Sequence, residues 1–340
     1  GNLNVEHIAS LSRVQETELT KDDYDLKMKS ENMLVATIKA KRPSVDKVND
    51  QTNALMQSSI ASAATMYAAD ELLIDSTMKS RNGVRQTGPF AAARVGQYDL
   101  DVRGDLETNV ISGLLGYAVN LQGSEIGAFV EMGHGTYDTK TTAASPLGKI
   151  RGDGKHNYVG LGVYGNYTTP WEWLHFTGYV KGGWLRNEFS APIAGVSVDF
   201  DRTSNYWGAH LGMYGEVQAA EKIKNRTFLN YFYDGRESES YEASGSSAVA
   251  GARFHFDALN VHRVQAGSLF EYQHSSALRP YAAVTYEYAF KADAEGSARD
   301  HIGTLAMNGT DLEGSTGILS LGWTFMNRAK TFEFDGGVNG

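Results

Sequence analysis

The chain has 340 residues, a formal net charge of −9 and no cysteine. The acidic balance and the lack of any basic run argue against nucleic acid as a partner, and the missing thiols exclude a disulfide framework, thiolate metal sites and a cysteine nucleophile. No window approaches 18 consecutive apolar residues, which excludes a spanning helix but not a barrel, whose strands need only about 9–11 residues with alternate ones apolar.

Residues 1–50 are charge-dense, with a strand-like patch at Met33–Ile38 and a break at Pro43; they read as the end of a longer segment. From Gln51 to Ala69 no charged residue occurs, and Ala, Leu, Met and Ile mixed with Ser and Thr predict a helix over residues 50–80. Its ~30 residues at ~1.5 Å each reach ~45 Å, enough to cross a bilayer-spanning structure from end to end. Its Ser, Thr and Gln content keeps it from facing lipid. Taken alone, a surface helix on a soluble domain fits this segment equally well.

After Gly88 the pattern changes to long alternation. Between Glu125 and Tyr137 one face carries Ile126, Ala128, Val130 and Met132, the other Gly127, Glu131, Gly133 and Gly135. Val159, Leu161 and Val163 likewise oppose Tyr158, Gly160, Gly162 and Tyr164, and similar runs continue to the end of the chain, giving eleven strands. They are long beside the usual five or six residues of a soluble strand. Tyr167, Trp173, Trp184, Trp207, Tyr288 and Phe325 sit toward the ends of the apolar faces, where a membrane protein places its aromatic girdles. Short turns near 122–124, 169–171, 219–225, 274–278 and 327–330 alternate with long loops near 139–156, 187–203, 239–259 and 292–313, as periplasmic turns alternate with extracellular loops. The expected class is all-β, a transmembrane antiparallel up-and-down barrel.

Three segments carry a family resemblance: Gly127–Tyr137, Arg279–Phe290 and Gly314–Phe325. In order and spacing they resemble the translocator domain of monomeric autotransporters, over residues 88–340. The resemblance implies a twelve-stranded outer-membrane barrel with an α-helix in its lumen, which exports its own N-terminal passenger and anchors it at the cell surface. It implies outer-membrane lipid, the passenger, the barrel-assembly machinery and periplasmic chaperones as partners, a monomeric barrel and no cofactor. On this reading residues 1–44 are a passenger remnant, 45–85 the helical linker through the pore and 86–340 the barrel. Eleven strands would leave an edge facing lipid, so a last strand is expected beyond them. A porin shares the barrel but gives residues 45–80 no role, and a soluble sandwich fails on strand length and loop alternation.

Charged residues recur on the polar faces: Arg94, Glu131, Lys181, Glu216, Arg263, Glu271, Glu287, Glu333 and Asp335. Two of the carboxylates could form an acid–base pair, but a hydrated barrel interior needs such residues to hold a plug helix. Arg94, Glu131, Lys181, Glu216, Arg263 and Glu287 are the candidates for lining the lumen and contacting the helix. Some members of the resembled family cleave their linker by asparagine cyclisation, which singles out Asn53, although no Asn-Asn pair occurs. Gly160-Leu161-Gly162-Val163-Tyr164-Gly165 matches the dinucleotide fingerprint but lies inside a strand, where that motif cannot present a helix N-terminus to a pyrophosphate. His134, His175 and His210 stand singly on different strands without metal-ligand spacing, and no GxSxG elbow exists. Neither catalysis nor a cofactor or metal is expected.

Overall fold

The structure, a computed structural model, describes residues 15–16, 21–22, 24–30, 33–38, 50–78, 87–101, 104–141, 148–193, 196–242, 251–275, 277–299, 304–307, 309–326 and 333–339. Two antiparallel pairs come first, β1 (Gln15–Glu16) with β2 (Lys21–Asp22) and β3 (Tyr24–Ser30) with β4 (Met33–Ile38). A 3-10 turn at Asp50–Thr52 leads into α1 (Asn53–Met78), 26 residues and ~39 Å long. There follow β5 (Gly88–Asp101), β6 (Gly104–Leu121), β7 (Ser124–Thr141), β8 (Arg151–Thr168), β9 (Leu174–Ile193), β10 (Val196–Ala220) and β11 (Ile223–Arg236). Two short strands, β12 (Glu239–Glu242) and β13 (Arg253–Phe256), precede the long β14 (Leu259–Tyr272) and β15 (Leu278–Lys291). Four more, β16 (Asp293–Ala294), β17 (Gly296–Arg299), β18 (Thr304–Ala306) and β19 (Thr310–Asp311), precede the closing β20 (Gly314–Met326) and β21 (Glu333–Asn339).

The eleven long strands form one antiparallel sheet in the order β5-β6-β7-β8-β9-β10-β11-β14-β15-β20-β21, so every long strand pairs with its neighbours in sequence. The sheet curls until Cα atoms of β5 and β21 come within 8 Å, with no ladder between those two edges among the described residues. At one end the connections are tight. Gln122 and Gly123 join β6 to β7 with φ of 53° and 103°, the paired left-handed geometry of a two-residue hairpin, and Glu221-Lys222 joins β10 to β11.

The exposed side of the sheet is apolar. Ile111, Leu115, Tyr117, Val119 and Leu121 line it on β6, and Val159, Leu161, Val163 and Tyr167 on β8. Water would penalise such a continuous surface; a bilayer accommodates it. The ten residue steps from Ile111 to Leu121 cover ~34 Å along the strand, or ~26 Å at a tilt of ~40°, the height of a barrel's lipid band. Aromatics mark both rims: Tyr167, Trp171 and Trp173 near the tight turns, Trp184 and Trp207 at the other end. Beyond Trp184 the outward residues turn polar at once, with Arg186 on β9 opposite Thr203 on β10 and Glu188 opposite Asp201.

All four of the expected long loops are partly strand. Residues 187–193 and 196–203 continue β9 and β10 above the lipid band, because the alternation persists: Asn187, Phe189, Ala191, Ile193 and Val198 are buried inside while Pro192 and Asp199 point out. Outward residues that meet water instead of lipid make such a strand look like a loop in sequence. The described parts of residues 239–259 and 292–313 form a four-stranded sheet of order β12-β13-β17-β18 and the pair β16–β19. The β7–β8 connection contracts to residues 142–150.

Candidate functional site

α1 lies inside the curl of the sheet and is buried on every side: Leu55, Ile60 and Leu73, but also Ser58, Thr65 and Asp70, are less than 2% exposed. A helix buried all round yet rich in hydroxyls fits a polar lumen, not an apolar core. It packs on β5 to β9. On the opposite side a cavity of about 70 Å³ remains against β14, β15 and β20, bordered by Asp70, Ile74, Arg263, Tyr281, Thr285 and Ile318.

The C-terminal half of α1 is held by charge. Lys181 Nζ on β9 lies 2.9 Å from the Asp70 carboxylate, the Arg263 guanidinium on β14 pairs with the same carboxylate, and the Tyr179 hydroxyl donates to it at 2.6 Å. Lys181 also reaches Glu131 at 3.3 Å, and that carboxylate accepts the Tyr206 hydroxyl at 2.6 Å. Arg263 reaches Glu287 at 2.9 Å and Asp234 at 3.3 Å, with its guanidinium over the rings of Tyr67 and Phe232 at 4.0 and 4.5 Å. Four carboxylates from α1, β7, β11 and β15 therefore share two cations. One turn further on, Arg94 on β5 bonds Asp75 at 2.5 Å and Glu71 at 3.0 Å, and the Tyr98 hydroxyl donates to Glu71 at 2.9 Å. Isolated, each buried ion would carry a large desolvation cost; gathered in a network, each offsets its neighbour's.

The N-terminal half carries no charge of its own and is held mostly by neutral groups. Ser58 Oγ sits 2.5 Å from the Tyr137 hydroxyl, which donates to Asn187 Oδ1 at 2.7 Å, and Asn187 Nδ2 donates back to Ser58 at 3.0 Å, closing a triangle. Thr65 contacts His156 Nδ1 at 3.1 Å, Gln51 donates to the Gly148 carbonyl at 3.3 Å, and Arg236, paired with Glu239, donates to Ser59 at 2.8 Å.

Of the residues singled out in sequence, the structure brings Glu131, Lys181, Arg263 and Glu287 together around Asp70 and sets Arg94 beside Glu71 and Asp75. Glu216 stands apart. It pairs with Lys224 at 2.9 Å and with Arg226; two residues before it, Tyr214 bonds Asn166, which reaches the carbonyl of Thr77 near the end of α1. Glu271 lies 3.8 Å from Arg279. The side chains of Glu333 and Asp335 lie outside the described residues. Asn53 is the buried first residue of α1. Gly160 and Gly162 fall inside β8, where the Tyr206 and Phe129 rings fill the space a Cβ would need. His134 bonds Asn157 at 2.8 Å, while His175 stacks on Tyr214 and His210 on Phe232. Sequence reasoning missed Asp70, Glu71 and Asp75, the only charges on α1, which is the signal that could have found them. Tyr137 and Asn187 carry no such signal.

The sequence profile of the autotransporter beta-domain matches residues 91–339. The chain belongs to the autotransporter β-domain family. The fold agrees: the transport unit of the autotransporter AIDA-I from Escherichia coli aligns over 80% of this chain and 89% of its own length at 12% identity, with a TM-score of 0.60. The translocator domain of autotransporter NalP from Neisseria meningitidis aligns over 82% and 94% at 13% identity and a TM-score of 0.54. The beta domain of the Bordetella autotransporter BrkA covers 71% and 92% at 15% identity and a TM-score of 0.48. Curated protein sequences return no match. The protein is thus an outer-membrane translocator with its passenger exposed at the cell surface, and the porin reading is set aside.

Proposed function

We propose that α1 is the plug that remains in the translocator once the passenger is outside, with Asp70, Glu71 and Asp75 as its grips and Arg94, Glu131, Lys181, Arg263 and Glu287 as their partners in the wall. The observation that carries this reading is the Asp70 carboxylate, bound at full burial by Lys181 and Arg263 from two different strands. Glu216 serves the wall alone. Residues 1–44 are the base of the passenger, 45–85 the linker through the pore and 86–340 the barrel. Among the described residues, the lumenal carboxylates Asp70, Glu71, Asp75, Glu131, Asp234 and Glu287 each pair with a cation of the wall, which supports a transport part for the chain. The apolar band stays exposed until it meets the bilayer, which calls for periplasmic chaperones and the barrel-assembly machinery; once inserted, the band is satisfied by lipid and the barrel works as a monomer.

The test is display of a reporter fused ahead of Gly1. On intact cells, external protease removes the reporter and leaves α1 with the barrel. Reporter retained in the periplasm beside a normally inserted barrel would contradict the reading.

A further inference from the structure

The sheet formed by the two long extracellular segments has an apolar underside. β13, after β11, pairs with β17, after β15, so that Phe254 faces Ala298 and His255 faces Ser297. Tyr241, Phe254, Phe256, Ala294 and Ala298 of this sheet region form one buried cluster with Leu55, Met56 and Ile60 of α1. The start of α1 is sealed, with Leu55, Met56 and Ile60 at 0–1% exposure, as is the 3-10 turn ahead of it, with Gln51 and Thr52 at 2% and 0%. A chain in transit cannot share a space packed to that degree. With α1 absent, the underside would face the hydrated lumen, where an apolar surface of this kind has no partner.

We propose that this extracellular sheet is a lock whose partner is the apolar start of α1: it closes over the barrel when Leu55, Met56 and Ile60 arrive beneath it, and stands open while the passenger passes. The polar contacts of Ser58 and Ser59 lie just below and would set the helix at the height where the lock fits. The inference rests on the reading of α1 as the retained plug. It adds that the plug's first turns, and not the loops alone, shut the exit.

These 340 residues contain no cysteine, so a thiol introduced among them is the only one they contribute. Ala298→Cys places it in the sheet at a position 3% exposed. Cells displaying the full-length protein are treated with a membrane-impermeant maleimide, in the otherwise natural background and with Leu55→Asp and Met56→Asp added; Leu55→Ser with Met56→Ser serves as a milder pair. The thiol is protected in the first case and reacts at least about tenfold faster in the others, as a site does once its local opening becomes easy. Equal protection in all backgrounds, meaning a sheet that folds without the helix, or rapid labelling in all, meaning no lock, would overturn the inference. Retention of α1 with the barrel after external proteolysis, read on the same cells, tests the plug reading separately.

Discussion

The two halves of α1 solve the same problem with different chemistry. The half leading to β5 brings three carboxylates and meets Lys181, Arg263 and Arg94; the half near the extracellular end brings Ser, Thr and Gln and meets hydroxyls, an amide and one arginine. A neutral hydrogen bond contributes about 1 kcal/mol and tolerates small shifts, whereas a buried ion left without its partner costs about 3–5 kcal/mol. The charged half therefore fixes where the helix stops, and the neutral half holds it there under the extracellular sheet.

The largest effect should follow Arg263→Ala. It leaves Asp70 and Asp234 buried with Lys181 as their remaining cation, strips Glu287 of its arginine and removes the cation–ring contacts to Tyr67 and Phe232, a loss of about 3–5 kcal/mol read as faster hydrogen exchange of α1 amides. Asp70→Asn should cost less, about 1.5–3 kcal/mol, because Lys181 keeps Glu131 and Arg263 keeps Asp234 and Glu287. Ser58→Ala should cost about 1 kcal/mol, since Tyr137 and Asn187 still bond each other; a cost above that of Asp70→Asn would reverse the comparison. Asp234→Asn sharpens it: with four carboxylates on two cations, removing one charge should leave α1 exchange unchanged or slower.

The smallest effect lies above the membrane. The Arg186 guanidinium, 2.5 Å from Asp201, holds that carboxyl below its usual range. What the pair contributes is present above the ordinary carboxylate pKa and is lost as pH falls through the lowered value, and solvent screens it. Asp201→Asn should leave the thermal midpoint at neutral pH unchanged, and less acid-sensitive.

The barrel was legible because lipid on one side and water on the other force a period of two over every strand, as in Ile126 to Met132. The same logic failed at residues 187–203, where water meets both the outward face and the ends of the strands, so Arg186, Glu188, Asp199 and Asp201 blurred the contrast that lipid sharpens. Arg94, Lys181 and Arg263 could be placed on the polar face by alternation. Their partners could not, because pairing depends on the height of α1 in the lumen, which no period encodes. Glu216 shows the limit: it has the right parity and lies past the end of the helix.

The central claim is that α1 fills the pore, and planar-bilayer conductance of the full-length protein beside a variant lacking residues 50–78 tests it most directly. The account predicts a small conductance that rises sharply when the helix is deleted; equal, large conductance from both would contradict it.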